Sequence, residues 1–284
     1  HVEQQGSATS PWELYKHHVY SAGIEDEWRL TPRWSLIGGL SFDYLKKQGG
    51  KESSSVNPIA GLKFKVTDEA NLHFSFSRKS RFPSMRSLYS TTSGNPDLKD
   101  EVGTSFELGA DYSGWLNGSL TGFTSDYKDL IYVIRQPNGT KLYINVGEAR
   151  IRGLEAYVSK SLKNFNFQVN YTYLDAKNLT DDRPLDLVPE SEASFLASYL
   201  LPENFSLTLW VLMTSRSEIL ISSNSVSVPG YTVANLSFEK YLRGGSLFFK
   251  VENLFNKAYY TEPGYPCTCR RLEAGFTFRV GPAD

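Results

Sequence analysis

The sequence predicts an all-β chain whose antiparallel strands cross a membrane as part of a barrel wall, roughly 13 strands by the alternation test. Three observations point there. Apolar and polar residues alternate with period two from end to end. Each alternating run is about as long as the ~9–11 residues a tilted strand needs to cross hydrocarbon. The connections between runs fall into a short and a long class, and the two classes take turns along the chain.

The runs lie near 16–29, 34–45, 56–66, 71–80, 101–113, 116–134, 141–161, 165–178, 189–201, 205–216, 230–241, 246–257 and 270–280. In the second, Trp34, Leu36, Leu40, Phe42 and Tyr44 share one parity. In the fifth, Val102, Thr104, Phe106, Leu108, Ala110 and Tyr112 alternate with Glu101, Gly103, Ser105, Glu107, Gly109 and Asp111. Phe165, Phe167, Val169, Tyr171 and Tyr173 repeat the pattern against Asn164, Asn166, Gln168, Asn170 and Thr172. Phe205, Leu207, Leu209, Val211 and Met213 share a parity, and the last run sets Leu272, Ala274, Phe276, Phe278 and Val280 against Arg271, Glu273, Gly275, Thr277 and Arg279.

Short connections are Leu30-Thr31-Pro32-Arg33, Thr67-Asp68-Glu69-Ala70, Ser113-Gly114, Leu162-Lys163-Asn164, Pro202-Glu203-Asn204 and Arg243-Gly244-Gly245. Long or polar ones cover 46–55, 81–100, 179–188, 217–229 and 258–269. Gln136-Pro137-Asn138-Gly139 is the exception, a tight Asn-Gly hairpin. A soluble sandwich has no reason to sort its loops by side, whereas an outer-membrane barrel has short periplasmic turns and long external loops. Trp12, Tyr15, Tyr20, Trp28, Trp34, Trp115, Tyr127, Tyr132, Tyr259 and Tyr260 gather near run ends, as interfacial girdles do.

Composition narrows the function classes. The 284 residues carry 30 Lys+Arg against 31 Asp+Glu, a net charge of −1, which removes the electrostatic case for nucleic acid. No apolar run approaches the ~20 residues of a membrane-spanning helix. The two cysteines, Cys267 and Cys269, form a single C-T-C, so a paired C-x-x-C metal site is excluded. His1 to Ser10 carry no basic-then-apolar leader.

Several motifs now read together: Arg81-Phe82-Pro83-Ser84-Met85-Arg86-Ser87-Leu88-Tyr89, Gly94-Asn95-Pro96-Asp97-Leu98-Lys99-Asp100-Glu101, Tyr127-Lys128-Asp129-Leu130-Ile131, Asn145-Val146-Gly147-Glu148-Ala149-Arg150-Ile151-Arg152-Gly153-Leu154-Glu155, Val251-Glu252-Asn253-Leu254-Phe255-Asn256-Lys257-Ala258-Tyr259 and Glu262-Pro263-Gly264-Tyr265-Pro266. The series resembles the C-terminal barrel portion of TonB-dependent outer-membrane receptors, most closely those for ferric siderophores or cobalamin. The likeness runs from about Tyr15 to Val280. Glu273 to Val280 resemble the signal read by the barrel-insertion machinery, although the family usually ends on an aromatic and Gly281-Pro282-Ala283-Asp284 follow here.

The resemblance implies a barrel of about 22 strands with a plugged lumen. The chain is therefore expected to lack the plug, the TonB-contacting segment and about nine strands. On this expectation residues 1–15 are an external loop remnant, 16–280 the transmembrane barrel portion and 281–284 a tail, with the C-terminus periplasmic.

No enzyme constellation or resident cofactor is expected, since no nucleophile motif is present. His17 and His18 face opposite sides of a strand and cannot share a metal; parity turns His17 to the lumen, where a solvated rim histidine is weighed against a ligand role. Asp181, Asp182 and Asp186 are weighed as a Ca²⁺ set against a plain solvated acidic loop, the better of the two. Among Arg78, Lys79, Arg81, Arg86, Arg270 and Arg271, parity puts Lys79, Arg81 and Arg271 inward. With Tyr89 and Tyr265 such groups can hold an anionic chelate by charge-assisted hydrogen bonds and stacking, weighed equally against binding lipopolysaccharide phosphates or simply solvating the rim. Cys267 and Cys269 are either a strained bridge or two free thiols.

The reading expected from the resemblance is import of a scarce metal chelate or cobalamin through an outer-membrane barrel. Its partners are that ligand, the lipid bilayer with its lipopolysaccharide, and a TonB complex reached through the segment missing here. A plugless pore or adhesion barrel is the alternative. A soluble carbohydrate-binding β protein is a third, and it requires water-soluble expression.

Overall fold

The computed structural model describes residues 2–7, 10–49, 51–135, 140–221, 224–267 and 269–278. Its strands are β1 (Val2–Ser7), β2 (Ser10–Arg29), β3 (Trp34–Lys47), β4 (Ser53–Lys65), β5 (Ala70–Arg81), β6 (Glu101–Ser113), β7 (Asn117–Arg135), β8 (Lys141–Leu162), β9 (Phe165–Asn178), β10 (Arg183–Pro184), β11 (Ser191–Leu201), β12 (Phe205–Thr214), β13 (Ser217–Ile221), β14 (Asn224–Val228), β15 (Tyr231–Leu242), β16 (Gly245–Glu252), β17 (Tyr260–Glu262), β18 (Tyr265–Pro266) and β19 (Arg271–Phe278). One five-residue helix, α1 (Met85–Tyr89), stands between β5 and β6.

The main sheet holds 15 strands in the order β1-β2-β3-β4-β5-β6-β7-β8-β9-β11-β12-β15-β16-β19, with β10 beside β9. The path follows the chain, so each connection joins sheet neighbours. β13-β14 and β17-β18 are separate hairpins inside two of the long connections. Every anticipated run coincides with a strand. The chain clusters into two compact units: His1–Leu108 with Phe123–Arg152 and Lys177–Arg183, and Gly109–Gly122 with Gly153–Ala176 and Pro184–Asp284.

In the first unit, ladder pairs align one apolar row after another. Ile24 lies opposite Leu40 and Leu40 opposite Pro58; Phe42 meets Val56, and Leu62 meets Phe74. This face is bare: Ile24 is 76% exposed, Leu40 49% and Phe42 48%. The opposite face carries Ser41, Asp43, Leu45 and Lys47 of β3 and Ser53, Ser55 and Asn57 of β4. Segment 82–100 is fastened there through Lys47 and Ser53, and Leu45 on the same face is fully buried. The short turns use one chemistry twice: the Thr31 hydroxyl accepts from Trp34 N at 3.1 Å and the Thr67 hydroxyl from Ala70 N at 3.0 Å.

The second unit repeats the division. Val169, Phe195, Val211 and Ala234 form one row, and Tyr199, Leu207 and Phe238 another. On the other face polar neighbours bond across strands: Asn170 Nδ2 donates to Ser194 Oγ at 3.0 Å, and Ser198–Thr208 and Ser246–Thr277 pair at 2.9 and 2.8 Å. Gly275 leaves room on this polar side for the Phe248 ring, which an added Cβ would meet at 2.6 Å. Buried hydrophobics are few among the described residues: Leu45, Met85, Leu88, Tyr89, Leu98, Ala149, Val228, Val233 and Ala234. A water-soluble sandwich would bury its Leu and Phe rows instead.

Three expectations change. Residues expected as loop at 1–15 include β1 and the start of β2, paired from Val2 opposite Lys16 to Ser7 opposite Ser10. The strand expected to reach 257 stops at Glu252, because Asn253 takes φ 50° and its side chain bonds both Lys257 N (2.8 Å) and Lys257 O (2.9 Å). The connection at 81–100 contains α1 where no helix was anticipated. The Gln136–Gly139 hairpin and the tail at 281–284 lie outside the described residues.

Candidate functional site

The first unit builds a hydrogen-bonded polar site where segment 82–100 meets the sheet. Pro83 and Ser84 start α1, and the Ser84 hydroxyl accepts from Ser87 N at 3.1 Å. Five residues cannot hold a helix alone, so α1 depends on what it buries. Met85, Leu88, Tyr89 and Leu98 form a cluster against which Tyr15, Ile131 and Tyr143 pack. The Tyr89 ring stacks on Tyr15 at 4.6 Å, and its hydroxyl accepts from Gln48 N at 3.0 Å. Gly94 closes the segment: its N–H donates to Ser90 O at 2.7 Å, and an added Cβ would lie 2.5 Å from Ser90 N.

Polar side chains then fasten the segment at several points. The Lys47 ammonium donates to Pro96 O (3.1 Å) and Leu98 O (2.8 Å), which satisfies a charge that burial would otherwise penalise. Asp100 Oδ2 accepts from Ser53 Oγ (2.6 Å) and Ser55 Oγ (2.9 Å). Asn145 of β8 receives Lys99 N at 2.8 Å and donates to Lys99 O (3.0 Å) and Asp129 O (2.7 Å). Asp129, at φ 55°, interrupts the regular β7 backbone at that bond. Glu101 accepts from Ile131 N at 2.8 Å and pairs with Arg81.

Of the anticipated ligand residues, Arg81 has its guanidinium on the buried Glu101 carboxylate while most of the side chain remains in solvent. Lys79 and Arg86 are exposed. Tyr89 corrects the expectation of a stacking platform: it is 5% exposed and both its ring and its hydroxyl are engaged within the fold. His17 is 6% exposed and is not a solvated rim histidine. His18 is exposed, as its parity requires.

In the second unit, Arg271 lies opposite Glu252 in the ladder and pairs with Glu252 (2.9 Å) and Glu273 (3.2 Å). Tyr265 is exposed at the β17-β18 hairpin. Cys267 N donates to Tyr259 O at 3.0 Å and Arg270 N donates to Asn256 Oδ1 at 2.9 Å. Cys267 is half-buried and Cys269 exposed, and the two are not bridged in this structure. Burial and the adjacent Cys267 thiol push the Tyr259 phenol up. A cavity of about 540 Å³ is lined by Tyr171, Ala193, Met213, Thr232 and Lys257 among others. Its first four residues form one ladder row on the bare apolar face, so it is a recess in that face.

Asp181 accepts from Asn178 Nδ2 at 2.9 Å and pairs with Arg183, while Asp186 accepts from Leu220 N at 3.0 Å. Among the described residues no three His, Cys, Asp or Glu side chains are grouped to hold a metal. The residues that sequence reasoning passed over are Asp43, Lys47, Asn57 and Asp100. For Asp43 and Asn57 the available signal was a carboxylate and a carboxamide at inward parity on the neighbouring strands β3 and β4, whereas Lys47 lies past the anticipated 34–45 run and Asp100 in a connection.

Residues 4–254 match the family described as TonB dependent receptor-like, beta-barrel, and the chain belongs to that family. The vitamin B12 transporter BtuB of Photobacterium profundum is 26% identical over 224 residues, covering 76% of this chain and 36% of that protein. The probable TonB-dependent siderophore receptor PirA of Acinetobacter baumannii is 27% identical over 243 residues, covering 70% and 32%. The crystal structure of the siderophore receptor PirA from Acinetobacter baumannii shares the fold, with a TM-score of 0.82 at 22% identity over 93% of this chain and 46% of that one. The chain thus spans about a third of the length of the two curated relatives. These relatives are a transporter and a receptor, and the family resides in the outer membrane of Gram-negative bacteria.

Proposed function

We propose that this chain is wall and external-loop structure of an outer-membrane receptor importing a scarce metal chelate, such as a ferric siderophore, or cobalamin. The observation that carries the reading is the two-faced sheet: Leu and Phe rows left bare on one side, and on the other a hydrogen-bonded polar face with segment 82–100 folded onto it. A bilayer supplies the partner for the first face and a water-filled lumen for the second. The relatives' cobalamin and siderophore assignments support the substrate class.

The lengths of the connections support one orientation. The turns at 30–33, 66–69, 163–164 and 243–244 are periplasmic, and the connections holding α1, β13-β14 and β17-β18 are external, which leaves the C-terminus periplasmic. The barrel is completed to about 22 strands and plugged by segments outside this chain, through which a TonB complex acts. Lys79, Arg81, Arg86, Tyr265 and Arg271 are the groups that would meet an anionic ligand or lipopolysaccharide phosphate.

Deleting the gene of the intact receptor and measuring uptake of labelled cyanocobalamin, a ferric catecholate and a ferric hydroxamate tests this. The expected result is loss of one uptake, restored by the gene and abolished when the proton-motive force is collapsed. Unaffected uptake of all three, or uptake that survives the collapse, contradicts the import reading; survival favours a plugless pore.

A further inference from the structure

We propose that Asp43, Asn57 and Asp100 hold a hard divalent cation of the Ca²⁺ type between the β3-β4 wall and segment 82–100. In the ladder Asp43 lies opposite Ser55, and Ser41 opposite Asn57, so Asp43, Ser55 and Asn57 are near neighbours on one face. Asp100 comes down onto that face through its Oδ2, held by Ser53 and Ser55 at 2.6 and 2.9 Å. Asp43 Oδ2 takes the Asn57 Nδ2 donor at 2.7 Å. A carboxylate only accepts, so this bond fixes which way the Asn57 carboxamide points.

Two oxygens are then left over. Asn57 Oδ1 and Asp100 Oδ1 are buried and have no hydrogen-bond partner, in residues that are 9% and 8% exposed. Both are acceptors, so only a donor or a cation satisfies them. Charge favours the cation. Asp43 and Asp100 bring two carboxylates, and the Lys47 ammonium near Asp100 gives two of its donors to Pro96 O and Leu98 O rather than to either carboxylate. The donor set is all oxygen: carboxylate, carboxamide and hydroxyl. Ca²⁺ accepts such a set in flexible geometry, whereas Mg²⁺ demands a near-ideal octahedron and Zn²⁺ prefers nitrogen or sulfur. A cation here ties segment 82–100, and with it α1, to the wall. This assignment stands whether or not the import reading does.

The test is calorimetric titration of CaCl₂ into the intact receptor in detergent after chelator treatment, with Ca²⁺-dependent thermal midpoints alongside. Wild type is expected to show a saturable site whose affinity falls about 10-fold or more in Asp100→Asn, which keeps an acceptor for Ser53 and Ser55. Asn57→Asp, which adds a carboxylate, is expected to tighten binding, again by about 10-fold. Superimposable titrations of wild type and Asp100→Asn would overturn the site and leave a bound water as the partner of both oxygens. Should Asp100→Asn not fold, Asn57→Asp decides alone: unchanged Ca²⁺ affinity overturns the proposal.

Discussion

At the scale of single residues, Leu88 and Tyr89 make the cost of undoing segment 82–100 measurable. Leu88 is 1% exposed inside the α1 cluster, and Leu88→Ala is expected to cost about 2–5 kcal/mol in denaturant unfolding of the detergent-solubilised protein. Tyr89 adds a pH dependence. Burial raises its phenol above the ordinary 10.0, with the hydrogen bond from Gln48 N pulling the other way. The folded state therefore holds the proton more tightly than the unfolded one. Its contribution is complete below the unfolded value and is lost as pH rises through the folded one. As pH rises above about 10 the unfolding midpoint is expected to fall more steeply in wild type than in Tyr89→Phe; equal slopes would contradict the burial. In the sequence Tyr89 looked like a platform for a ligand, because an aromatic beside arginines suggests one. Met85, Leu88 and Tyr89 at i, i+3 and i+4 were the sign of a helix with a buried face, set within a chain of period-two runs.

At the scale of elements, alternation made the strands legible because each one divides its side chains between two different surroundings. The short turns were legible too, through Thr31 and Thr67, whose hydroxyls cap the chain reversal. What escaped was structure fastened by partners distant in sequence. Asn253 ends β16 through its own loop, and Lys47 reaches Leu98 O and Ser55 reaches Asp100 across about fifty residues to order the 82–100 segment. Neither leaves a periodic trace. Strand β5 offers a paired test of the two faces. Phe74→Lys puts a charge on the bare face and is expected to cost about 2–4 kcal/mol if the position lies near mid-membrane. Ser75→Lys, one residue on, faces the polar side beside Glu107, to which Ser75 Oγ donates at 3.1 Å. It is expected to leave the folded yield in outer-membrane fractions unchanged. Equal yields for the two variants would mean that the faces do not differ.

At the scale of the whole molecule, the few buried hydrophobics among the described residues and the long bare rows support a fold whose apolar surface is completed by its surroundings rather than by its own core. That is why substrate identity was not legible while the fold was: lipid selects the wall residues, whereas a ligand selects loops, and loops are free to vary. The most direct measurement is a nitroxide scan of residues 72–77 in β5 of the intact receptor, with Cys267 and Cys269 replaced, reconstituted in lipid. Collision with oxygen, which partitions into lipid, is expected to peak at Leu72, Phe74 and Phe76. Collision with a water-soluble nickel chelate is expected to peak at His73, Ser75 and Ser77. Oxygen and nickel profiles in phase, or a nickel maximum at Phe74, would contradict the membrane-wall account.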